Sequence, residues 1–391
     1  MSDQPRQVTP AVRLEARLTS RPETRYPVVI GDGALARLPD LLPEDRHGVV
    51  VISEERVWPL WGEAVMTLLR DREQGLGHYL FPPGERHKSR ETKAALEDRL
   101  VSDAWGRDVV LIALGGGVVT DVVGFLAATY LRGVRYLSVP TTLVAMVDAA
   151  LGGKTGVNTK AGKNLVGAFH QPEAVVADLH TLTTLPDAEL DYGLAETVKH
   201  AALADEALLD RLVTDATALR ARDTEALCDI VARSVAVKLQ LVAADEQDHG
   251  SRQALNFGHT VGHALERASD YRVGHGHAVA VGMCVESDAA VGAGLMAPSV
   301  RDRIVGVIEA LGLPDRLPAD LSSEALSAAL VLDKKNRRGE VRYAFPGAPG
   351  QVATFGGRYT TTLPDDAVRR ALEGRAPEGR GREARAPEGR A

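Results

Sequence analysis

Five of the eleven histidines fall between positions 249 and 277, and two of them, His259 and His263, stand four apart in NFGHTVGHALE. On a helix that spacing puts both imidazoles on one face. His275 follows in GHGHAV, and Glu196 lies upstream in GLAETVKH. Two or three imidazoles with one carboxylate form a common set for a divalent ion with an open coordination position. A single helical histidine is more often a hydrogen-bonded or surface residue, but five clustered together shift the balance. Spacing favours His259, His263 and a later histidine as ligands, and leaves the carboxylate open.

A basic cluster sits in an otherwise acidic chain. GGKTGVNTKAGKNLVGAFHQP carries Lys154, Lys160 and Lys163 with Asn158 and Asn164 between them; Lys199, Lys238, Arg252, Lys334 and Lys335 follow. Lysine suits phosphate as a compact charge, and arginine suits carboxylate through its planar fork. A substrate bearing both groups fits this inventory. Lys160 reads as an ordinary solvated lysine; Lys154 and Lys163 lie among glycines and small apolar residues.

A third feature is the run Gly115, Gly116, Gly117, Val118, Val119, Thr120, Asp121 after the apolar stretch VVLIAL. A strand entering glycines and then a helix can bring backbone N–H groups close to a pyrophosphate. The run is not a GxGxxG fingerprint, and a tight turn needing positive φ explains it equally well.

The elements that must position these groups alternate at first. Short apolar runs at 26–30, 48–52, 109–114, 136–139 and 174–177 read as buried strands, with helical pattern at 92–101. Apolar strands alternating with helices imply a parallel sheet covered on both faces. Beyond about residue 180 the stretches 188–219, 223–247, 255–268, 278–296 and 299–311 have helical periodicity. The expected division is an α/β domain over 1–182, a mainly α-helical domain over 183–372, and a disordered tail over 373–391, where RAPEGR occurs twice. The first ten residues are also expected to be loose.

The 391 residues are 45% hydrophobic and 25% charged, enough for a large core, and the 4% of aromatics leaves that core to Ala, Val and Leu. A net charge of −7 argues against nucleic acid as a partner. Cys228 and Cys284 are the only cysteines, so no disulfide framework is expected. No stretch reads as a membrane span or a signal peptide. A reduced, soluble, cytoplasmic protein is expected.

GGGVVTDVVGFLAATYLRG, VPTTLVAMVDAALGGKTGVN, GKNLVGAFHQP, GLAETVK, LNFGHTVGHALE and DKK occur in the order found in 3-dehydroquinate synthases. From about residue 25 to about 370 the chain resembles that family. The resemblance implies an N-terminal Rossmann-like domain that binds NAD and a helical domain that holds Zn²⁺ or Co²⁺. It places the metal on Glu196, His259 and His275, and moves His263 to the substrate. It assigns NAD contacts to Glu85, Lys88, Gly116, Gly117, Val118, Val119, Thr120, Asp121, Thr141, Thr142, Lys154, Lys163, Thr181, Leu182, Thr183 and Thr184.

By the same resemblance, Lys154, Asn164, Asn256 and Arg132 hold phosphate, and Arg252 with Lys334 or Lys335 holds carboxylate. Lys199, Lys238 and Asp148 bind hydroxyls and aid proton transfer. His263 is the protein's candidate for a proton-transfer role, since free imidazole titrates near neutrality. Arg132 looks like an arginine that reaches into a neighbouring subunit, which implies a homodimer.

The implied reaction converts 3-deoxy-D-arabino-heptulosonate 7-phosphate to 3-dehydroquinate and phosphate. Transient oxidation by NAD, β-elimination of phosphate, reduction, ring opening and aldol closure follow in turn. Sibling cyclases making aminodehydroquinate or 2-deoxy-scyllo-inosose, and metal-dependent polyol dehydrogenases, are the alternatives. The family usually reads HGEAV where this chain has His275, Gly276, His277, Ala278 and Val279, and His277 is expected to place a further imidazole near the metal.

Overall fold

Val49 and Val51 point to one side of their strand and Val50 and Ile52 to the other, and all four are fully buried. A strand buried on both faces needs cover on both sides, which is the parallel-sheet condition. The computed structural model describes residues 24–70, 72, 75–336 and 339–377, with 331–336 described by their backbone alone. The expected loose N-terminus lies outside the described residues.

Six parallel strands form the sheet: β1 (Val28–Gly31), β2 (Gly48–Glu54), β3 (Leu76–Phe81), β4 (Val109–Gly115), β5 (Arg135–Pro140) and β8 (Ala174–Asp178). Their order is β1-β8-β5-β4-β2-β3. The chain runs outward from β2 to β3, then crosses back to β4 on the other side of β2. Strand order therefore reverses between β2 and β4, and the crevice at their carboxyl ends is where open α/β sheets bind ligands. The glycine run follows β4 at that place. Ser53 ties the two strand ends together by donating its hydroxyl to the Leu114 carbonyl at 2.7 Å.

Helices α1 (Glu63–Arg70), α2 (Arg90–Ser102) and α3 (Gly117–Thr129) belong to this part. Between β5 and β8 the chain inserts an antiparallel hairpin, β6 (Lys154–Thr159) and β7 (Gly162–Phe169). Its strands meet at Gly156 opposite Gly167, where a side chain on Gly167 would collide with the Thr155 carbonyl. Glycine is needed there for close backbone approach.

The rest is helical: α4 (Asp187–Ala204), α5 (Glu206–Thr214), α6 (Ala216–Arg220), α7 (Thr224–Ala244), α8 (His259–Ala268), α9 (His275–Gly292), α10 (Pro298–Ala310), α11 (Ser323–Asn336) and α12 (Asp365–Gly374). The stretch expected as one helical run over 188–219 is three helices. Asp205 ends α4, and its carboxylate accepts the Leu208 amide to start α5 at once. Aspartate competes with the helix ladder in this way, so periodicity alone misses the break.

The expected tail begins later than residue 373. Glu373 and Gly374 complete α12, and Arg375 is fixed by Asp288 at 2.6 Å and Asp315 at 2.9 Å. Residues 378–391, with most of the repeated motif, lie outside the described residues. No helix among the described residues is long and apolar enough to cross a membrane.

Candidate active site

Helices α8 and α9 approach to backbone contact. A side chain on Gly282 would strike the Gly258 carbonyl, and one on Gly262 would come within 3.1 Å of the Ala278 carbonyl. Gly258 takes φ 77°, which turns the chain into α8. Glu286, fully buried on α9, accepts the amides of Gly258 at 2.8 Å and Val261 at 3.0 Å. One carboxyl thus satisfies two amides that open α8. This seam fixes His259 and His263 against His275 at the head of α9.

Glu196, fully buried on α4, faces that seam. Its Oε1 lies 3.5 Å from His259 Nε2 and 3.4 Å from His275 Nε2. Ligand atoms on a tetrahedral zinc at about 2.0–2.1 Å stand about 3.3–3.4 Å apart. The other ring nitrogens have acceptors: His259 Nδ1 meets its own Phe257 carbonyl at 3.1 Å, and His275 Nδ1 meets Glu266 Oε2 at 3.3 Å. Each Nδ1 then carries a proton, so that in the neutral ring each Nε2 offers its lone pair toward Glu196. Lys199 makes an ion-pair contact with Glu196 Oε2, yet neither oxygen accepts a hydrogen bond of normal geometry among the described residues. A buried carboxylate and two imidazole lone pairs sharing one point fit a divalent cation.

His263, the histidine favoured by spacing, does not share that point. It belongs to a second grouping with Glu266 and His275, where Lys163 already supplies a positive charge by donating to Glu266 Oε1 at 2.8 Å. Burial, then the neighbouring His259 and His275, push His263 down to about 3. These surroundings favour the neutral ring of His263.

A second cluster adjoins the first. Asp148, on the turn after β5, pairs with Lys238 of α7 and lies 3.7 Å from Lys199 of α4. Burial raises its carboxyl, but the two ammonium groups outweigh it and hold Asp148 well below the usual range. For Lys199 burial is outweighed by Asp148 and Glu196, so its pKa rises; for Lys238 burial wins, and its pKa falls. Two lysines on one carboxylate are thereby made unequal, and Lys238 gives up its proton more readily.

Arg252 is 2% exposed, donates to the Glu246 carbonyl at 2.8 Å, and leaves Nε and Nη2 without partners among the described residues. Burying guanidinium nitrogens unpaired is costly, and an anion's oxygens satisfy them. Nearby, half-exposed Lys154 pairs with Asp248. Asn256, four residues after Arg252, is exposed, and Asn164 is exposed on β7 with φ 56°. Lys334 and Lys335 fall at the end of α11, where side chains lie outside the described residues.

At the sheet's carboxyl edge, Gly116 packs so near Thr142 that a Cβ would lie 3.0 Å from its methyl. Val119, Thr120 and Thr141 are buried, and Gly117 and Val118 are partly covered. Lys88 is buried in an ion pair with Asp121 of α3, and exposed Glu85 accepts from Asn158 at 2.7 Å. Thr181 commits its hydroxyl to the Asp178 carbonyl, and Leu182 lies wholly in the core, so only their backbones can meet a ligand. Thr183 and Thr184 are exposed.

Lys163 is bound to Glu266 and lies over the Tyr271 ring at 4.6 Å, on the histidine side of the cleft. His277, not expected as a ligand, turns to α4: its Nε2 meets Asp191 Oδ2 at 2.9 Å, and its ring stands edge-on to Tyr192. The further imidazole is spent on α4.

Sequence reading missed four residues. Glu266 follows His259 by seven and His263 by three, so helical spacing could have found it. Glu286 gave no signal of its own. His200 is fully buried, meets Ser234 Oγ at 2.6 Å, and is pushed down to about 3 by burial and by Lys199. Glu54 ends β2 at the crevice, a position whose acid often takes dinucleotide ribose hydroxyls.

The family model for the 3-dehydroquinate synthase N-terminal part matches residues 78–192, and that for the C-terminal part matches 193–336. The chain belongs to the 3-dehydroquinate synthase family. A 3-dehydroquinate synthase of Halorhodospira halophila is 43% identical over 349 residues, which is 88% of this chain and 97% of that one. One of Symbiobacterium thermophilum is 42% identical over 356 residues, 90% of this chain and 98% of that one.

Among solved structures, a 2-epi-5-epi-valiolone synthase from Streptomyces hygroscopicus with NAD⁺ and Zn²⁺ bound superposes with a TM-score of 0.80 at 30% identity, over 92% of this chain and 98% of that one. A 2-deoxy-scyllo-inosose synthase complexed with carbaglucose-6-phosphate, NAD⁺ and Co²⁺ gives 0.81 at 22% identity, over 89% of this chain and 96% of that one. The latter likeness is one of fold.

Proposed function

We propose that the chain is a 3-dehydroquinate synthase, an NAD- and metal-dependent lyase acting on 3-deoxy-D-arabino-heptulosonate 7-phosphate. Its relatives of that name are 42–43% identical over about nine tenths of the chain. The observation that carries the reading is the junction of the Glu196, His259, His275 triad with the Asp148, Lys199, Lys238 cluster. It sets a cation site beside paired acid and base groups in one cleft.

Glu196, His259 and His275 would hold Zn²⁺ or Co²⁺, and the glycine turn after β4 would hold NAD with Lys88, Asp121, Thr141 and Thr142. When bound, the cation polarises an alcohol and the nicotinamide takes and returns a hydride at that carbon. The chain's own residues bind and orient. Arg252 would offer its unpartnered Nε and Nη2, one edge of the guanidinium, to the carboxylate, with Lys334 or Lys335. Lys154, Asn164 and Asn256 surround the phosphate.

Lys238 is the readier proton acceptor of its pair, and Lys199 the retained cation. His263, whose surroundings favour its neutral ring, is the candidate for proton transfer beside the substrate hydroxyls. Fixing the substrate among them removes freedom that the elimination and ring closure would otherwise require.

The portion up to residue 182 would carry the nucleotide and 183–372 the metal and substrate groups. Arg132 would complete a partner's phosphate site, making the protein a homodimer. It is exposed, has φ 70° after Leu131 at 47°, and has no hydrogen-bond or ion-pair partner among the described residues. Two successive left-handed non-glycine residues are costly, and such strain collects at functional sites. The cytoplasm is the expected compartment, consistent with free Cys228 and Cys284.

The test is phosphate release measured side by side from 3-deoxy-D-arabino-heptulosonate 7-phosphate, sedoheptulose 7-phosphate and glucose 6-phosphate. Release from the first alone is expected. Preference for either of the others would overturn the substrate assignment in favour of a sibling cyclase.

A further inference from the structure

Glu266 lies on α8 at 2% exposure, one turn beyond His263, and each of its oxygens has a separate partner. Oε2 receives His275 Nδ1 at 3.3 Å, and Oε1 receives the Lys163 ammonium at 2.8 Å. His275 comes from the head of α9 and Lys163 from β7 of the inserted hairpin. A single buried carboxylate thus joins α8 to α9, nine residues on, and to a hairpin 103 residues upstream. The same hairpin bears Lys154 and Asn164, and the backbone amide of Asn164 is held by the Asn158 side chain at 3.0 Å.

We propose that Glu266 is a positioning residue: it fixes the tautomer and direction of His275 toward the metal, and through Lys163 it couples the hairpin to that ligand. An ionised carboxylate can only accept, so it requires the proton on Nδ1 and presents the Nε2 lone pair toward Glu196. His259 achieves the same with its own Phe257 carbonyl, a local contact on one element. Among the described residues His275 has no such local partner, and its orientation depends on a carboxylate from another helix.

That carboxylate is in turn held by the hairpin. Lys163 keeps a negative charge tolerable at a buried position, since an unpaired one would be costly. Loosening the hairpin therefore loosens Glu266, and with it His275. By reciprocity, filling the metal site steadies the hairpin that carries the substrate-binding Lys154 and Asn164.

The inference rests on the reading that Glu196, His259 and His275 hold a divalent ion. It is tested without turnover, on full-length protein. Zn²⁺ affinity is measured by chelator competition, the electronic spectrum is recorded with Co²⁺, and melting temperature is taken with and without metal. Glu266→Ala is expected to weaken Zn²⁺ binding about 10- to 100-fold and to alter the Co²⁺ spectrum. Glu266→Gln, which keeps one acceptor for Nδ1, should recover part of the loss. Lys163→Ala should weaken Zn²⁺ binding in the same direction by a smaller factor.

A purely structural role would lower the metal-free melting temperature while leaving the metal-induced rise and the Co²⁺ spectrum of the folded variants intact. That result overturns the proposal. Wild-type protein that binds neither Zn²⁺ nor Co²⁺ would instead overturn the metal reading beneath it.

Discussion

Asp148 and Lys199 face each other at 3.7 Å, one from the turn that follows β5 and the other from α4. Their contact crosses from the sheet-bearing part to the helical part, and Lys238 of α7 completes it from a third element. The chemistry is therefore assembled by tertiary structure, and each member sets the protonation of the others.

Replacing Asp148 by Asn removes the only anion among the described residues that pairs with Lys238. Burial already lowers that lysine, and loss of Asp148 lowers it further. Turnover should fall by about a hundredfold or more. In the residual activity, the limb governed by Lys238 should move to lower pH. A pH profile of kcat/KM for D148N with an unmoved limb would contradict the pairing.

Metal removal tests the triad. Chelation should abolish activity, and Zn²⁺ or Co²⁺ should restore it to the wild type. Glu196→Gln should resist restoration at metal concentrations that saturate the wild type, since the remaining imidazoles lose the anion between them. Full recovery of that variant would remove Glu196 from the ligand set.

Arg132 can be tested by complementation. In the proposed homodimer, Arg132→Ala and Lys154→Ala should each leave the protein nearly inactive. After subunit exchange, half the dimers are mixed and one of their two sites is intact, giving about a quarter of wild-type activity. No recovery from exchanged dimers would place Arg132 in its own subunit's chemistry.

Glu286 gives a stability prediction with a definite sign. Burial pushes its carboxyl up to about 8, against the opposing pull of the Val261, Gly258 and Thr260 amides. A pKa raised on folding contributes stability that is present below about 4.5 and lost as pH rises through about 8. Glu286→Gln cannot titrate. The unfolding free energy of the wild type, relative to this variant, should therefore decline between pH 5 and 9, by on the order of a few kcal/mol. A difference independent of pH would contradict the raised pKa.

The sheet strands were legible because VVVI and VVLIAL are apolar runs of strand length, and the helical part because its apolar positions recur with helical spacing. The hairpin was not, because GGKTGVNT and GKNLVGAF lack alternation; their glycines serve close backbone approach rather than burial. Strand β3 was hidden by His78 and a glycine within LGHYLF. Spacing found His259 and wrongly paired it with His263, since a four-residue interval shows a shared face but not the element facing it. Here that element is α4, with Glu196 63 residues upstream of His259. The opposite protonation tendencies of Lys199 and Lys238, and the turn of His277 onto Asp191, depend on burial and on partners distant in sequence. No local pattern encodes them.

The most direct test of the account supplies 3-deoxy-D-arabino-heptulosonate 7-phosphate to the metal-loaded protein with NAD at a small fraction of the substrate concentration. Phosphate, 3-dehydroquinate and NADH are followed together. Many phosphates, with equal 3-dehydroquinate, are expected to be released per NAD present, with no net NADH. NADH accumulating in step with product, or no phosphate release at all, would contradict the account.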